Sequence, residues 1–493
     1  MYQVMVVDDE PAAVNLIRTV VEKKIDRFTV SDTAYDGKEA MEKIKEARPD
    51  VLITDIQMPV MNGLELVRMA KELYPGLICV IVSGYQEFEY AKQAIQYGVT
   101  EYILKPIVPS DMRKVFEKIG EKLAVEYYRQ RNLLIHRMVN DIPTKKEEIG
   151  RYFQGGRYYG AVIRRNGLPC HFADHVKTEV FSDINEWMIT YGRDDQETLY
   201  LCPEEIVCGD YVEMIKRQIK KEQPEAAYET SIIFRKSVPG EEIGIMVREL
   251  YRVLDGSIIL GKNQTIIADD GKDFVLETDK NYDFLQNLEY IAKGQKFERL
   301  KKEIEGLIQR WDKENRTQLW MESRVRQICY MLQRYGVGEA DYREYEYLLD
   351  EAFVNAGSWE QLFTSLMDIF YKDQKEDTLN LHKQSTEEYF EKIKDYIQNN
   401  MAKPISLQSV SKEMGVSQTY LSRLFRKYED ISFNNYLTFL RMEKAKELLK
   451  SEDKIFVKDV AEQVGYKDQF YFSRIFHTYT GVRPSEYIEK EKR

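Results

Sequence analysis

Along the first part of the chain, short wholly apolar runs alternate with amphipathic segments. Val4–Val7, Val51–Thr54, Ile78–Ser83 and Tyr102–Leu104 predict buried parallel strands, because a strand covered on both faces needs apolar side chains at nearly every position. Between them, Ala12–Val21, Gly37–Ala47, Gly63–Leu73 and Phe88–Tyr97 carry apolar residues at helical spacing. Strand and helix in alternation predict a doubly wound α/β domain over residues 1–122.

From Asp111 to Asn140 the pattern is one long charged helix, with Val115, Ile119, Leu123, Tyr127 and Tyr128 as a stripe. A short coiled coil that forms a homodimer and a plain linker helix over 123–150 both accommodate it. Residues 151–275 return to mixed α/β, with apolar runs at Tyr159–Ile163, Leu199–Cys202 and Ser231–Phe234 and helices at Tyr211–Lys221 and Glu241–Leu254. Residues 276–372 read as helical, the polar segment Asp373–Ser385 as a linker, and 387–493 as all-α.

Composition adds bounds. A chain of 493 residues exceeds one core and implies several domains. No run reaches the roughly 20 apolar residues of a spanning helix and no leader pattern precedes Val4, so no membrane contact and a cytoplasmic location are expected. The five cysteines, Cys79, Cys170, Cys202, Cys208 and Cys329, are odd in number and form no CxxC pair, so reduced thiols are expected. Net charge is -11, but Met401–Arg493 holds 17 Lys and Arg against 13 Asp and Glu, leaving that end at +4 and the rest at -15. The basic end is the nucleic-acid candidate.

In a doubly wound sheet, functional groups gather at the carboxyl ends of the strands. Asp8 and Asp9 follow Val4–Val7, Asp55 follows Leu52–Thr54, Ser83 ends its run, and Lys105 follows Tyr102–Leu104. Three carboxylates in one pocket repel each other unless a cation neutralises them, and a hard divalent ion such as Mg2+ suits oxygen ligands. Asp55 can then act as a nucleophile toward a phosphoryl group whose charge is shared by the cation, Lys105 and Ser83.

V-V-D-D-E-P at Val6–Pro11, D-I-Q-M-P-V-M-N-G at Asp55–Gly63, S-G-Y at Ser83–Tyr85 and K-P at Lys105–Pro106 closely resemble the response-regulator receiver domain, which is flavodoxin-like in fold. The resemblance implies that Asp55 is the phosphoacceptor, and that Asp9, Asp55 and the Gln57 carbonyl bind Mg2+ with Asp8 assisting. It also implies a cis Lys105-Pro106 bond and a switch that couples Ser83 to Tyr102.

The last ninety residues contain a repeat: Val410–Tyr428 matches Val460–Tyr479, with one extra residue after the second glycine. Each copy reads as helix, glycine turn, helix. Leu407, Val410, Met414, Leu421, Leu424, Phe425 and Tyr428 face one core; Val457, Val460, Val464, Phe472, Ile475, Phe476 and Tyr479 mirror them. The remaining faces carry Gln418, Thr419, Ser422, Arg423 and Arg426 in one copy and Gln469, Tyr471, Ser473 and Arg474 in the other, candidates for base and phosphate contacts. With the intervening Leu440–Leu449 and the closing Thr480–Tyr487, this unit resembles the AraC/XylS family of transcription regulators. That implies two helix-turn-helix units entering successive major grooves of double-stranded DNA, roughly 34 Å apart.

The middle faintly resembles degenerate cyclase-like domains, with Gly192–Gln196 in the place of the catalytic loop. That turn lacks the paired glycines and acidic-acidic-Phe pattern, so no catalysis is expected. Cys170, His171 and His175 read as surface loop rather than a metal site. A phosphatase at Asp55 would need a second aspartate where Gln57 stands. The expected protein is a phosphorylation-dependent transcription regulator, not an enzyme, whose partners are a sensor histidine kinase, DNA and RNA polymerase. The rival is a constitutive DNA-binding regulator whose receiver serves only dimerisation.

Overall fold

The computed structural model describes residues 1–84, 88–154, 156–169, 189–193, 196–221, 226–268, 283–335, 342–371, 383–451, 456–466 and 469–491. Tyr85, Cys170, His171, His175, Asp194, Asp195 and residues 373–382 of the expected linker lie outside this set. Two compact units emerge, Met1–Leu134 and Ile135–Arg493.

The first unit alternates β1 (Tyr2–Val7), α1 (Pro11–Lys24), β2 (Phe28–Ala34), α2 (Gly37–Glu46), β3 (Val51–Thr54), α3 (Gly63–Leu73), β4 (Ile78–Ser83), α4 (Phe88–Gln96), β5 (Glu101–Leu104) and α5 (Pro109–Val139). The sheet is parallel throughout, in the order β2-β1-β3-β4-β5. Alternate residues of each strand feed opposite layers: Val4, Val6, Val51 and Ile53 pack under α1 and α5, while Met5, Val7 and Leu52 pack under α2 and α3. The apolar-run criterion overlooks β2. As an edge strand it alternates, burying Phe28, Val30 and Ala34 and exposing Ser31, so it has no continuous apolar run to detect. On α5, Met112, Phe116, Ile119 and Leu123 join this unit's core, and Tyr127 donates to the buried Asp50 carboxylate at 3.0 and 3.1 Å. The stripe read along this helix is thus largely spent inside its own unit.

The second unit opens with α6 (Lys146–Tyr152), β6 (Arg157–Arg165), β7 (Ile189–Tyr191), β8 (Glu197–Pro203), α7 (Tyr211–Lys221), β9 (Glu229–Phe234), β10 (Val238–Pro239), α8 (Ile243–Ser257) and β11 (Gln264–Ala268). Its sheet runs β11-β9-β6-β8-β7 with β10 beside β6. Pairing is antiparallel except between β9 and β11. Ala161 and Ile163 of β6 meet Val212, Ile215 and Ile219 of α7. On the other face α8 approaches so closely that a Cβ at Gly160 would lie 2.8 Å from the Met246 side chain. In the turn before β8, Arg193 bonds Glu197 at 2.6 Å and Asp255 at 2.7 Å and lies over the Tyr251 ring, tying β8 to α8.

Five helices follow: α9 (Asp283–Lys293), α10 (Phe297–Lys313), α11 (Gln318–Gln333), α12 (Tyr342–Asn355) and α13 (Trp359–Phe370). The chain then continues as α14 (Lys383–Asn400), α15 (Leu407–Met414), α16 (Gln418–Tyr428), α17 (Phe433–Ser451), α18 (Val457–Gln463), α19 (Gln469–Thr480) and α20 (Pro484–Glu491). The repeat builds two cores joined by α17. Its Phe433, Tyr436 and Leu437 complete the core of α14–α16, and its Met442, Ala445 and Leu449 complete that of α18–α20. Both turn glycines are left-handed, Gly415 at φ 68 and Gly465 at φ 92, and a Cβ at Gly465 would lie 2.7 Å from the Met401 carbonyl, so glycine is required there. Tyr479 departs from the expected core: it is 39% exposed and donates to Glu443 at 3.0 Å. Among the described residues no helix is long and apolar enough to cross a membrane, and Cys79, Cys202, Cys208 and Cys329 are free thiols.

Candidate functional site

The strand order places the carboxyl ends of β1 and β3 side by side, and the chain leaves each on an acidic residue. Asp8 lies fully buried at the end of β1, Asp9 is exposed beside it, and Asp55 is partly buried after β3. Oxygens of all three fall within 4.8 Å of one another. Lys105, after β5, reaches both Asp8 at 2.9 Å and Asp55 at 2.7 Å. Burial alone would lower the Lys105 pKa, but the hydrogen bonds and charges of Asp55 and Asp8 outweigh it, and the net shift is upward. The ammonium is therefore held charged against the two carboxylates.

The loop that carries Asp55 is fixed from several sides. The Asp55 amide donates to the Val7 carbonyl at 3.0 Å, its Oδ1 accepts from the Ile56 amide at 2.6 Å, and the Gly63 amide closes back on the Ile56 carbonyl at 2.9 Å. A Cβ at Gly63 would sit 1.8 Å from the Asp55 carbonyl oxygen, so only glycine lets α3 start this close to Asp55. Ser83 is fully buried at the end of β4, and its carbonyl accepts from the Lys105 amide at 2.8 Å. Tyr102 packs half-buried against Ile56, Leu64, Ile81 and Ala94. Gln57 is exposed beside Asp55 and the Lys105-Pro106 bond is cis. The set brings together Asp8, Asp9, Asp55 and Lys105. Its acidic oxygens around one point fit a hard divalent cation.

The DNA-facing candidates sit on α16 and α19, each the second helix of its pair. The apolar sides are as the spacing required, with Leu421 and Phe425 fully buried in one copy and Phe472 and Phe476 in the other. Gln469, Tyr471 and Ser473 lie along α19, with the Ser473 hydroxyl donating to the Gln469 carbonyl at 2.7 Å, and Arg474 occupies the same helix. The polar side of α16 is not open. Thr419 is 5% and Ser422 2% exposed, and Arg423 is paired to Glu344 of α12 at 3.0 Å. Gln418 and Arg426 remain partly exposed. The spacing leaves this face open for base and phosphate contacts, because a helix repeat cannot show that a distant helix covers it.

Residues 4–117 match the response regulator receiver domain and residues 410–490 match a helix-turn-helix domain. The transcriptional regulatory protein YesN of Bacillus subtilis (strain 168) is similar at 23% identity over 496 residues, which is 100% of this chain and 98% of that protein. The transcriptional regulatory protein HptR of Staphylococcus aureus (strain NCTC 8325 / PS 47) is 33% identical over 123 residues, 25% of this chain and 48% of HptR. Among solved structures, the receiver domain of AraT, a response regulator from Geobacillus stearothermophilus, is 39% identical and covers 25% of this chain and 97% of its own, at a TM-score of 0.24. The chain thus carries a response regulator receiver domain at one end and an AraC-type helix-turn-helix domain at the other, the two parts of a two-component transcription regulator.

Proposed function

We propose that this protein is a phosphorylation-dependent transcription regulator, in which a sensor histidine kinase transfers a phosphoryl group to Asp55 and the transfer modulates binding of double-stranded DNA. The observation that carries this reading is the convergence of Asp8, Asp9 and Asp55 within 4.8 Å under the Lys105 ammonium. An Asp55 carboxylate oxygen attacks phosphorus, the bond from phosphorus to the kinase imidazole breaks, the imidazole takes up a proton from solvent, and an acyl phosphate remains on Asp55. Asp9, Asp55 and the Gln57 carbonyl, with Asp8 assisting, would hold Mg2+, which would supply neutralising charge for the phosphoryl oxygens. Lys105 gives up its bond to Asp55 for the phosphoryl group. The buried Ser83 hydroxyl turns toward it, and Tyr102, packed beside Ile56, follows as the mobile aromatic.

At the other end Gln469, Tyr471, Ser473 and Arg474 on α19 supply base and phosphate contacts, and Gln418, Thr419, Ser422, Arg423 and Arg426 on α16 join them only when that face is uncovered. The test is labelling with acetyl phosphate. The wild-type chain is expected to take up one phosphoryl group and Asp55→Asn none; labelling that survives Asp55→Asn removes the assignment.

A further inference from the structure

Along Tyr345–Phe353 helix α12 is covered on every side. Tyr345 through Phe353 are buried without interruption, including Glu346, Asp350 and Glu351. A helix exposed to water on one face would not show this. One side is accounted for by α11, where Arg326 bonds Glu322, Glu346 and Asp350 at 2.9 to 3.0 Å. The other side, together with α13, lies against α16.

The contacts there fall on the polar face of α16. Arg423 pairs with Glu344 at 3.0 Å. Ser422 points its hydroxyl at Glu351 Oε2, and Thr419 points its hydroxyl at the Ser365 carbonyl, each at 3.5 Å. Arg426 stacks over the Tyr347 ring. Flanking bonds hold the edges: Gln361 donates to Gln408 at 3.2 Å, and Asn434 donates to Asn355 at 3.3 Å. A side chain that is 2% or 5% exposed cannot touch a base edge, and a recognition helix under two other helices cannot enter a groove about 12 Å wide. The chemistry offered to α16 also resembles what DNA offers. A carboxylate meets the arginine and carboxylate or carbonyl oxygens meet the hydroxyls, where phosphate and base acceptors would stand.

We propose that α12 and α13 form an internal cover over the first recognition helix, so that double-stranded DNA and the α12–α13 face compete for the same surface of α16. This rests on the DNA-binding reading above. With the cover in place only α19 is offered to a groove. Binding through both units requires α12 and α13 to leave α16, and the DNA affinity of the chain is reduced by the fraction of molecules still covered.

The test uses the full chain and a random-sequence duplex of about 40 bp, long enough for two successive grooves, at low salt. Glu344→Gln removes one partly exposed ion pair from the cover and is expected to tighten binding about three-fold. The charge-matched Glu305→Gln on the exposed side of α10 is expected to leave binding unchanged. Ser365→Arg drives a long side chain under Thr419 and is expected to tighten binding further. Amide hydrogen exchange gives an independent readout if that variant is unstable: in the wild type, duplex is expected to slow exchange in 418–428 while speeding it in 342–355 and 359–370. Protection of 418–428 with no change in α12 and α13 overturns the cover and leaves DNA binding intact. Protection of α19 alone, with the two cover variants binding as the wild type does, also overturns it. Failure of every variant to bind duplex removes the DNA-binding reading and the cover with it.

Discussion

Glu351 is the most heavily perturbed carboxyl in the contact between α12 and α16. Burial pushes it up to about 7 from 4.5, Asp350 adds to the rise, and hydrogen bonds from Asn355 and Ser422 oppose it without cancelling it. Because the folded pKa lies above the unfolded one, the folded contact holds a proton that the opened contact releases between those values. Stability is therefore fully present below about pH 4.5 and is lost as pH rises toward 7. At 1.36 kcal/mol per pKa unit the loss amounts to about 3 kcal/mol at pH 8 and about 1 kcal/mol at pH 5.5. Glu351→Gln keeps the shape and an oxygen for Asn355 and Ser422 but carries no charge. Relative to wild type it is expected to protect α12 and α16 amides roughly 300-fold at pH 8 and roughly ten-fold at pH 5.5. Both proteins are compared at the same pH, so intrinsic exchange rates cancel. An advantage that does not change between the two pH values refutes the reasoning, because it would mean that Glu351 does not titrate in this range.

Three further outcomes follow from the first unit. Gly63→Ala forces a Cβ against the Asp55 carbonyl and should destabilise the unit by about 2–4 kcal/mol and slow acetyl phosphate labelling, read by urea unfolding and by uptake rate. Tyr127→Phe leaves Asp50 with the Gln3 amide at 2.8 Å but without its phenol, and should cost about 1–2 kcal/mol with labelling unchanged. Lys105→Met removes the cation between Asp8 and Asp55 and should slow labelling by roughly 10²-fold while Asp55 remains the acceptor.

Residues that act through neighbours in sequence or along one strand are legible in the sequence alone. The apolar runs located four of the five strands of the first unit, and the strand ends delivered Asp8, Asp9, Asp55, Ser83 and Lys105 to one edge. β2 escaped because an edge strand needs only half its positions apolar. In the C-terminal repeat, spacing found the two cores, yet it left the polar face of α16 open to DNA. That face meets α12, more than sixty residues away in sequence, through Glu344 and Glu351. A helix with acidic residues inside an unbroken buried run has no signature in hydrophobic periodicity, since Glu346, Asp350 and Glu351 read as solvent positions until Arg326 and Ser422 are placed beside them. The middle sheet was partly legible for the same reason as β2: β6, β8 and β9 are central and continuous, while β7, β10 and β11 are short or lie toward its margins.

The proposed function requires that phosphorylation at Asp55 change how the chain holds DNA. Duplex affinity of the full chain, measured before and after acetyl phosphate treatment for wild type and for Asp55→Asn, tests it most directly. The expected result is a gain of about ten-fold, within the usual size of a coupling between two sites, in wild type alone. Equal affinity in both proteins before and after treatment would contradict it and leave a regulator that binds DNA regardless of its receiver.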